Sequence, residues 1–114
     1  MSSKISLWTG IIAVGAAIAI WLNVTIAPDN YVKSAAQKYF DKGDYRGALA
    51  DYNQAIALDP FDGYAYTLRG YLKEKKLNDI QGALADYDQA ISLGYKSAHA
   101  YRDVLTFLIE NNLK

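Results

Sequence analysis

The sequence predicts an all-α chain in which one N-terminal membrane-spanning helix precedes an α–α superhelix. The stretch 47–59 returns thirty-five residues later as 82–94, with ten of its thirteen positions identical. A repeat of that period is typical of stacked helical pairs, because no single pair buries its apolar face alone. Residues 5–27 carry no charge, and nowhere does the strict alternation of a β-strand persist.

The composition excludes several classes of protein. The 114 residues are enough for one small domain, and zero cysteines exclude a disulfide framework and a zinc–thiolate site. The formal net charge is +0 without a block of like charges, so nucleic-acid binding has no electrostatic support.

Catalytic motifs are missing from the sequence, which has no glycine-rich phosphate loop and no nucleophile elbow. His99 is the only histidine, and we interpret it as a groove or surface residue. We interpret Asp51, Asp86 and Asp88 as surface acids without metal-ligand spacing. We therefore expect that the protein is not an enzyme and that it binds no cofactor, no metal and no small-molecule substrate.

Residues 1–27 are predicted to form a transmembrane anchor. Their uncharged run of twenty-three residues exceeds the ~20 that cross a bilayer. Trp8 and Trp21 lie about 20 Å apart along a helix, as expected for side chains at the two membrane interfaces. A cleavable signal peptide is the alternative, although Lys4 is its only basic residue and 25–27 is a poor cleavage site before Pro28.

Small residues four positions apart on this segment allow a neighbouring membrane helix to approach closely. The candidate packing residues are Ser6, Gly10, Ala13 and Ala17. One basic residue, Lys4, precedes the segment, and several follow it closely. This excess predicts that the C-terminal domain, 28–114, lies in the cytoplasm or an equivalent compartment.

Five helices are predicted in this domain, at 30–42, 45–58, 63–76, 80–93 and 96–111. Pro28 suits a helix start, and Asp29 or Asn30 is expected to cap the first helix. Gly43 and Asn78 are suited to the left-handed conformation that follows a helix end. Because the first helix of the domain starts directly after the membrane segment, the linker between them is short. We therefore expect the domain to sit close to the membrane surface.

The repeated stretch predicts the core. Ala48, Tyr52 and Ala55 recur at three- and four-residue steps, so they share one helix face. The second copy has the same side chains at Ala83, Tyr87 and Ala90. We expect the small residues to admit a neighbouring helix and the tyrosines to fill the space between.

The segment from 29 onward resembles tetratricopeptide repeats (TPR). The residues that carry the resemblance in the first repeat are Tyr39, Gly43, Asp44, Tyr45, Ala48, Tyr52, Ala55, Leu58 and Pro60. In the second repeat they are Ala65, Tyr66, Gly70, Ala83, Tyr87 and Ala90, and a third unit begins with Ala100 and Tyr101. The resemblance implies repeats at about 29–62 and 63–97 and a capping helix at about 98–112.

The sequence departs from the family pattern at several positions. The usual early residues of the first repeat are replaced by Val32, Ala35 and Ala36, and one extra residue falls within 73–77. Tyr95 stands where the second repeat usually closes with proline. The amino-acid sequence of the repeated stretch also resembles repeats that are abundant in cyanobacterial proteins.

The resemblance implies a concave face built by the first helix of each pair, where peptides or partner helices bind. Carried onto this sequence, the groove residues are Lys33, Gln37, Phe40, Tyr64, Thr67, Tyr71, His99, Arg102 and Thr106. The basic–asparagine clamp of chaperone-tail receptors is not matched, because Leu68, His99 and Asp103 stand where its side chains belong. Exposed aromatic residues on such a face indicate a contact surface.

Two hypotheses of function remain open. The first is a membrane-anchored interaction module, a subunit or assembly factor of a multisubunit membrane complex, for which a photosynthetic thylakoid complex is a natural host. The second is a chaperone-like or transport helper with the repeats on the far side of the membrane. Both hypotheses predict that the protein contacts protein partners and membrane lipid. An array below about three repeats is also expected to be marginally stable without its partner.

Overall fold

The computed structural model describes residues 27–113, so nearly all of the predicted membrane anchor, including Ser6, Gly10, Ala13 and Ala17, lies outside the described residues. Within the described part, no helix has the length and apolar character needed to cross a bilayer. The five predicted helices are confirmed, with ends that agree within two residues when the π-helical turn Lys38–Lys42 is counted with the first helix. They are α1 (Pro28–Gln37), α2 (Tyr45–Leu58), α3 (Gly63–Lys75), α4 (Ile80–Ser92) and α5 (Ala98–Glu110), and a π-helical turn, Lys38–Lys42, extends α1.

Aspartate caps three of the five helices. Asp44 accepts a hydrogen bond from the Gly47 backbone N–H at 2.9 Å, and Asp79 accepts the equivalent bond at the start of α4, also at 2.9 Å. Asp62 caps α3 by accepting a hydrogen bond from the Tyr64 backbone N–H, two residues later, at 3.0 Å. These side chains satisfy N–H groups that have no partner in the first turn of a helix.

The start of α1 differs from the prediction. Its N-cap is Ala27, which makes no side-chain hydrogen bond, and Pro28 occupies the first helical position. The expectation that Asp29 or Asn30 caps this helix is therefore wrong. Proline suits this position because its fixed φ already matches a first turn and because the N–H that it lacks would have no partner within the helix.

Both repeats end their first helix with the same widened turn. The Asp44 N–H donates to the Lys38 carbonyl at 3.0 Å, and the Asp79 N–H donates to the Lys73 carbonyl at 3.0 Å. Gly43 at φ 62° and Asn78 at φ 52° provide the left-handed residue just before each aspartate. The extra residue predicted only for the second repeat is thus accommodated in both repeats.

Helix pairs pack through small residues. A Cβ added to Gly70 would lie 2.8 Å from Tyr87 Cε1 and 3.2 Å from the Ala83 carbonyl oxygen. Glycine therefore sets how closely α3 and α4 approach. Ala48 and Ala83 are each 0 % exposed, which confirms the core face predicted from the repeated stretch.

The fifth helix leaves one face uncovered in the described residues. Leu72 on α3 is 1 % exposed, whereas Phe107, thirty-five residues later on α5, is 58 % exposed. Leu72 packs in the core cluster formed with α1 and α2, whereas Phe107 belongs to neither core cluster of the described residues. Only Ala98 and Leu105 of α5 are buried.

Candidate partner-binding groove

One cleft lies between α1 and α3 and has a volume of about 290 Å³. Its lining residues are Asp29, Val32, Lys33, Ala36, Asp62, Tyr64 and Leu68. The lining contains apolar side chains from both helices, together with one lysine and two aspartates. The Asp62 carboxylate accepts the Tyr64 backbone N–H at 3.0 Å, and Lys33 is an exposed cation in the lining of this cleft.

A second cleft lies between α3 and α5 and has a volume of about 370 Å³. Its lining residues are Tyr71, Glu74, Lys75, Ala100, Tyr101 and Val104. Tyr64 and Tyr71 are seven residues apart on α3, so the two clefts open on the same face of that helix. We call the two clefts together the groove.

Tyr71 connects the three helices that form the groove. Its ring centroid lies 6.3 Å from that of Tyr39 and 5.9 Å from that of Tyr101, the latter in an edge-on arrangement. Tyr101 also stacks on Tyr87 at 5.8 Å, with the ring planes 20° apart. Aromatic pairs of this geometry are favourable beyond the area that they bury, so they fix the groove wall.

A buried carboxylate lies in the second cleft. Glu74 is 5 % exposed, and it accepts the Tyr87 hydroxyl at 2.8 Å. The Lys75 ammonium lies 3.1 Å from the other Glu74 oxygen. Burial, and then the bond to Glu74, raise the pKa of Tyr87 far above its usual value. The phenol therefore stays protonated at neutral pH and holds the Glu74 carboxylate in place.

Asp86 corrects the interpretation of the acids on the second helices as surface groups. Its side chain is 5 % exposed and lies 2.9 Å from the Lys73 ammonium. The Arg69 guanidinium donates two hydrogen bonds to it, at 2.9 and 2.6 Å. Two cations on α3 therefore compensate one buried anion on α4, and these ion pairs hold the two helices together.

The first repeat contains a weaker version of the same arrangement. Asp51 stands thirty-five residues before Asp86, and it lies 2.9 Å from the Lys38 ammonium and accepts the Ser34 hydroxyl at 2.7 Å. The hydrogen bond to Asp51 raises the pKa of Lys38. Because a serine replaces the arginine of the second repeat, Asp51 has one cationic partner where Asp86 has two.

Three of the predicted groove residues line the clefts, namely Lys33, Tyr64 and Tyr71. Gln37, Phe40 and His99 are exposed without lining either cleft. Phe40, at 78 % exposed, makes an edge contact with Tyr39. Their role in binding stays a prediction.

The remaining three predicted residues have contacts within the protein. Thr67 is 4 % exposed and its hydroxyl donates to the Gly63 carbonyl at 2.8 Å, so the expectation that it lines the groove is wrong. The Arg102 guanidinium donates to Asp88 on α4. The Thr106 hydroxyl donates to the Arg102 carbonyl at 2.9 Å.

Glu74 was missed by the sequence analysis. It belongs to a charged run, 73–76, that resembles a solvated helix surface. The available signal was the repeat itself, since Glu74 stands thirty-five residues after Tyr39, which is a partly buried aromatic residue of the first repeat. An acid at a position otherwise held by an aromatic residue of the packed face indicates a buried carboxylate.

The described residues contain no group of three or more histidine, aspartate or glutamate side chains that could hold a metal ion. Comparison with protein families finds a TPR repeat at residues 36–76. This match begins within α1 and covers α2 and α3. No curated protein and no solved structure shows significant similarity to the chain.

The chain therefore contains a TPR repeat, and the all-helical fold is consistent with the superhelix that such repeats build. TPR repeats in general mediate protein–protein interactions. The matched range includes Ala36, Tyr64 and Leu68 of the first cleft and Tyr71 and Glu74 of the second cleft.

Proposed function

We propose that this protein is an interaction module that holds a partner protein in the groove. The observation that carries the proposal is the row of accessible tyrosines in the two clefts. Tyr64 is 46 % exposed and Tyr101 is 42 % exposed, and Tyr71 lies between α1 and α5 in ring contact with both sides. Tyrosines at the centre of a concave surface are the side chains that most often dominate binding energy.

The proposal includes the N-terminal segment as a membrane anchor. Its support is the uncharged run of residues 5–27 with a tryptophan near each end. Short spacing between this run and α1 would hold the groove near the bilayer surface. The corresponding role is a subunit or assembly factor of a multisubunit membrane complex, and the sequence resemblance suggests a photosynthetic complex as host.

The groove is tested by affinity purification of the tagged full-length chain in mild detergent. Tyr64→Ala/Tyr71→Ala is expected to lose the partner, because two aromatic contacts of about 2 kcal/mol or more each disappear. Gln54→Ala/Gln89→Ala is the matched control, since both glutamines are exposed on the second helix of a repeat. Equal loss by both variants, or by neither, would contradict the proposal.

The anchor is tested separately by Gly10→Leu/Ala17→Leu in the same purification. If only this variant loses the partner, the protein is held through the bilayer and the groove is not the recognition surface. Topology distinguishes the subunit from the helper on the far side of the membrane. A reporter that is active only in the cytoplasm, fused after Lys114, is expected to be active for the subunit and silent for the helper.

A further inference from the structure

The loops that precede α3 and α5 lie at the same end of the fold as the start of α1. Asp29 in the first turn of α1 and Asp62 just before α3 line one cleft. The Tyr64 and Tyr95 rings lie 5.9 Å apart, which brings the loop before α5 to this end as well. We call this end, which is formed by residues 27–31, 59–64 and 94–97, the proximal end.

Phe61 is the most exposed large apolar side chain of the described residues, at 79 %. Its ring has no aromatic neighbour among them, whereas Phe40, at 78 % exposed, packs edge-on against Tyr39 at 4.8 Å. The loop that presents Phe61 is constrained by its own backbone, because Asp59 accepts the Phe61 N–H at 3.1 Å and Pro60 has a fixed φ. The exposed ring is therefore held at the proximal end.

The proximal end lies next to the proposed membrane segment. α1 begins at Pro28, directly after residues 5–27, and Ala27 is extended with φ −59° and ψ 146°. One extended residue spans at most about 3.6 Å, and the interfacial layer of a bilayer is roughly 5–7 Å deep on each side. Phe61 is therefore within reach of this layer, whereas Phe40 lies about 18 Å further along α1.

The charges of the proximal end fit an uncharged lipid surface. Asp29, Asp59 and Asp62 outnumber the one cation of this end, Lys96, so anionic headgroups would be repelled. The Asp59 and Asp62 carboxylates accept backbone N–H groups of their own loop and of the start of α3. Aromatic side chains favour the interfacial layer of a membrane, so lipid with zwitterionic headgroups suits Phe61.

We propose that Phe61 inserts into the interfacial layer of the lipid bilayer, so that the proximal end rests on the membrane. This inference rests on the membrane anchor of the proposed function and deepens it by adding a lipid contact that orients the repeats. In this orientation Tyr64 lies nearer to the bilayer than Tyr71, by about 10 Å along α3.

The lipid contact can be measured on the full chain without knowing the partner protein. The chain contains no cysteine, so Phe61→Cys and Phe40→Cys each introduce a single thiol for a polarity-sensitive fluorophore. Each labelled protein is reconstituted into phosphatidylcholine vesicles that carry a nitroxide near the headgroup. Quenching is expected to be about threefold stronger at position 61 than at position 40, because the two sites lie about 18 Å apart along α1.

The native Phe61 ring is tested with the fluorophore at another site of the proximal end. Ser97 is exposed and makes no capping hydrogen bond, so Ser97→Cys is a suitable site. Adding Phe61→Ser is expected to reduce quenching at position 97 by about half or more, because the side chain that holds this end against the interfacial layer is gone. Phe40→Ser is the matched control and should leave quenching at position 97 unchanged.

Flotation of the vesicles separates failure of this inference from failure of the anchor. If the protein floats with the vesicles but position 61 is quenched no more than position 40, the lipid contact is overturned and the anchor stands. The same holds if Phe61→Ser and Phe40→Ser affect position 97 equally. If the protein does not float, the proposed anchor itself fails and the lipid contact is overturned with it.

Discussion

A buried ion-pair cluster lies at the contact between the two helices of the second repeat. Asp86 lies in the packed interface between α3 and α4 with Arg69 and Lys73 as its partners. Two cations are held by one carboxylate there, and the same guanidinium reaches Asn53 on α2 at 2.8 Å. The arginine therefore joins both repeats, and loss of the anion would leave buried positive charge without compensation.

Asp86→Ala is expected to lower the free energy of unfolding by about 3 kcal/mol or more, the usual cost of removing one partner of a buried ion pair. Asp88→Ala is the control, because its side chain is 58 % exposed and also pairs with an arginine; its cost should stay below about 0.5 kcal/mol. Urea unfolding of the full chain in mild detergent measures both. Equal effects would mean that Asp86 is solvated.

Tyr52 predicts how stability depends on alkaline pH. Burial is the main cause that raises its pKa to about 12 in the folded protein, against about 10 in an unfolded chain. The folded state therefore favours the protonated phenol, so its contribution to stability is complete below about pH 10 and is lost as the pH rises to about 12. Tyr87, whose pKa is also raised, acts with the same sign.

The measurement is the free energy of unfolding at a series of pH values from neutral to about 12. Wild type is expected to be constant up to about pH 10 and then to decline, since tyrosine has its ordinary pKa there in the unfolded chain. Tyr52→Phe should decline less steeply over the same range. If the variant and wild type decline in parallel, Tyr52 does not titrate with the folding equilibrium.

The helices depend on close approach as much as on their own propensity. Gly70 lies in the interior of α3, where alanine would favour the helix by about 1 kcal/mol. The interface opposes this gain, because the new Cβ would lie 2.8 Å from the Tyr87 ring and 3.2 Å from a backbone oxygen of α4. That ring stacks on Tyr101 and has little room to move.

Gly70→Ala is therefore expected to destabilise the protein by about 1–3 kcal/mol, the range for overpacking of a close interface. Gln81→Ala on the exposed side of α4 is the control and should change stability by less than about 0.5 kcal/mol. Thermal unfolding followed by circular dichroism distinguishes the two. A stabilised Gly70→Ala variant would show that α3 and α4 separate easily.

Helix positions were predictable because their signals are local. Each helix end is determined by residues within a few positions of it, such as Gly43, Asn78 and the aspartate caps. Cleft residues were harder to predict, because they depend on which side chain a neighbouring helix covers. The predicted groove includes Thr67, which is buried, and omits Glu74, whose partner Tyr87 lies on another helix.

The second repeat takes part in both clefts of the described fold. It contributes α3 to both clefts, and its buried Asp86 has two cations where Asp51 of the first repeat has one. The expectation that so short an array gains stability from its partner stays a prediction. A partner in the groove would contact α1, α3 and α5 together and would connect both repeats.

Site-specific photocross-linking in cells tests whether the partner lies in the groove. A benzophenone amino acid is placed either at Tyr64, in the first cleft, or at Gln54, on the exposed surface of α2. A partner in the groove is expected to give one specific adduct from position 64 and none from position 54. An adduct from position 54 with none from position 64 would contradict it, because the partner would then bind the second helices and not the groove.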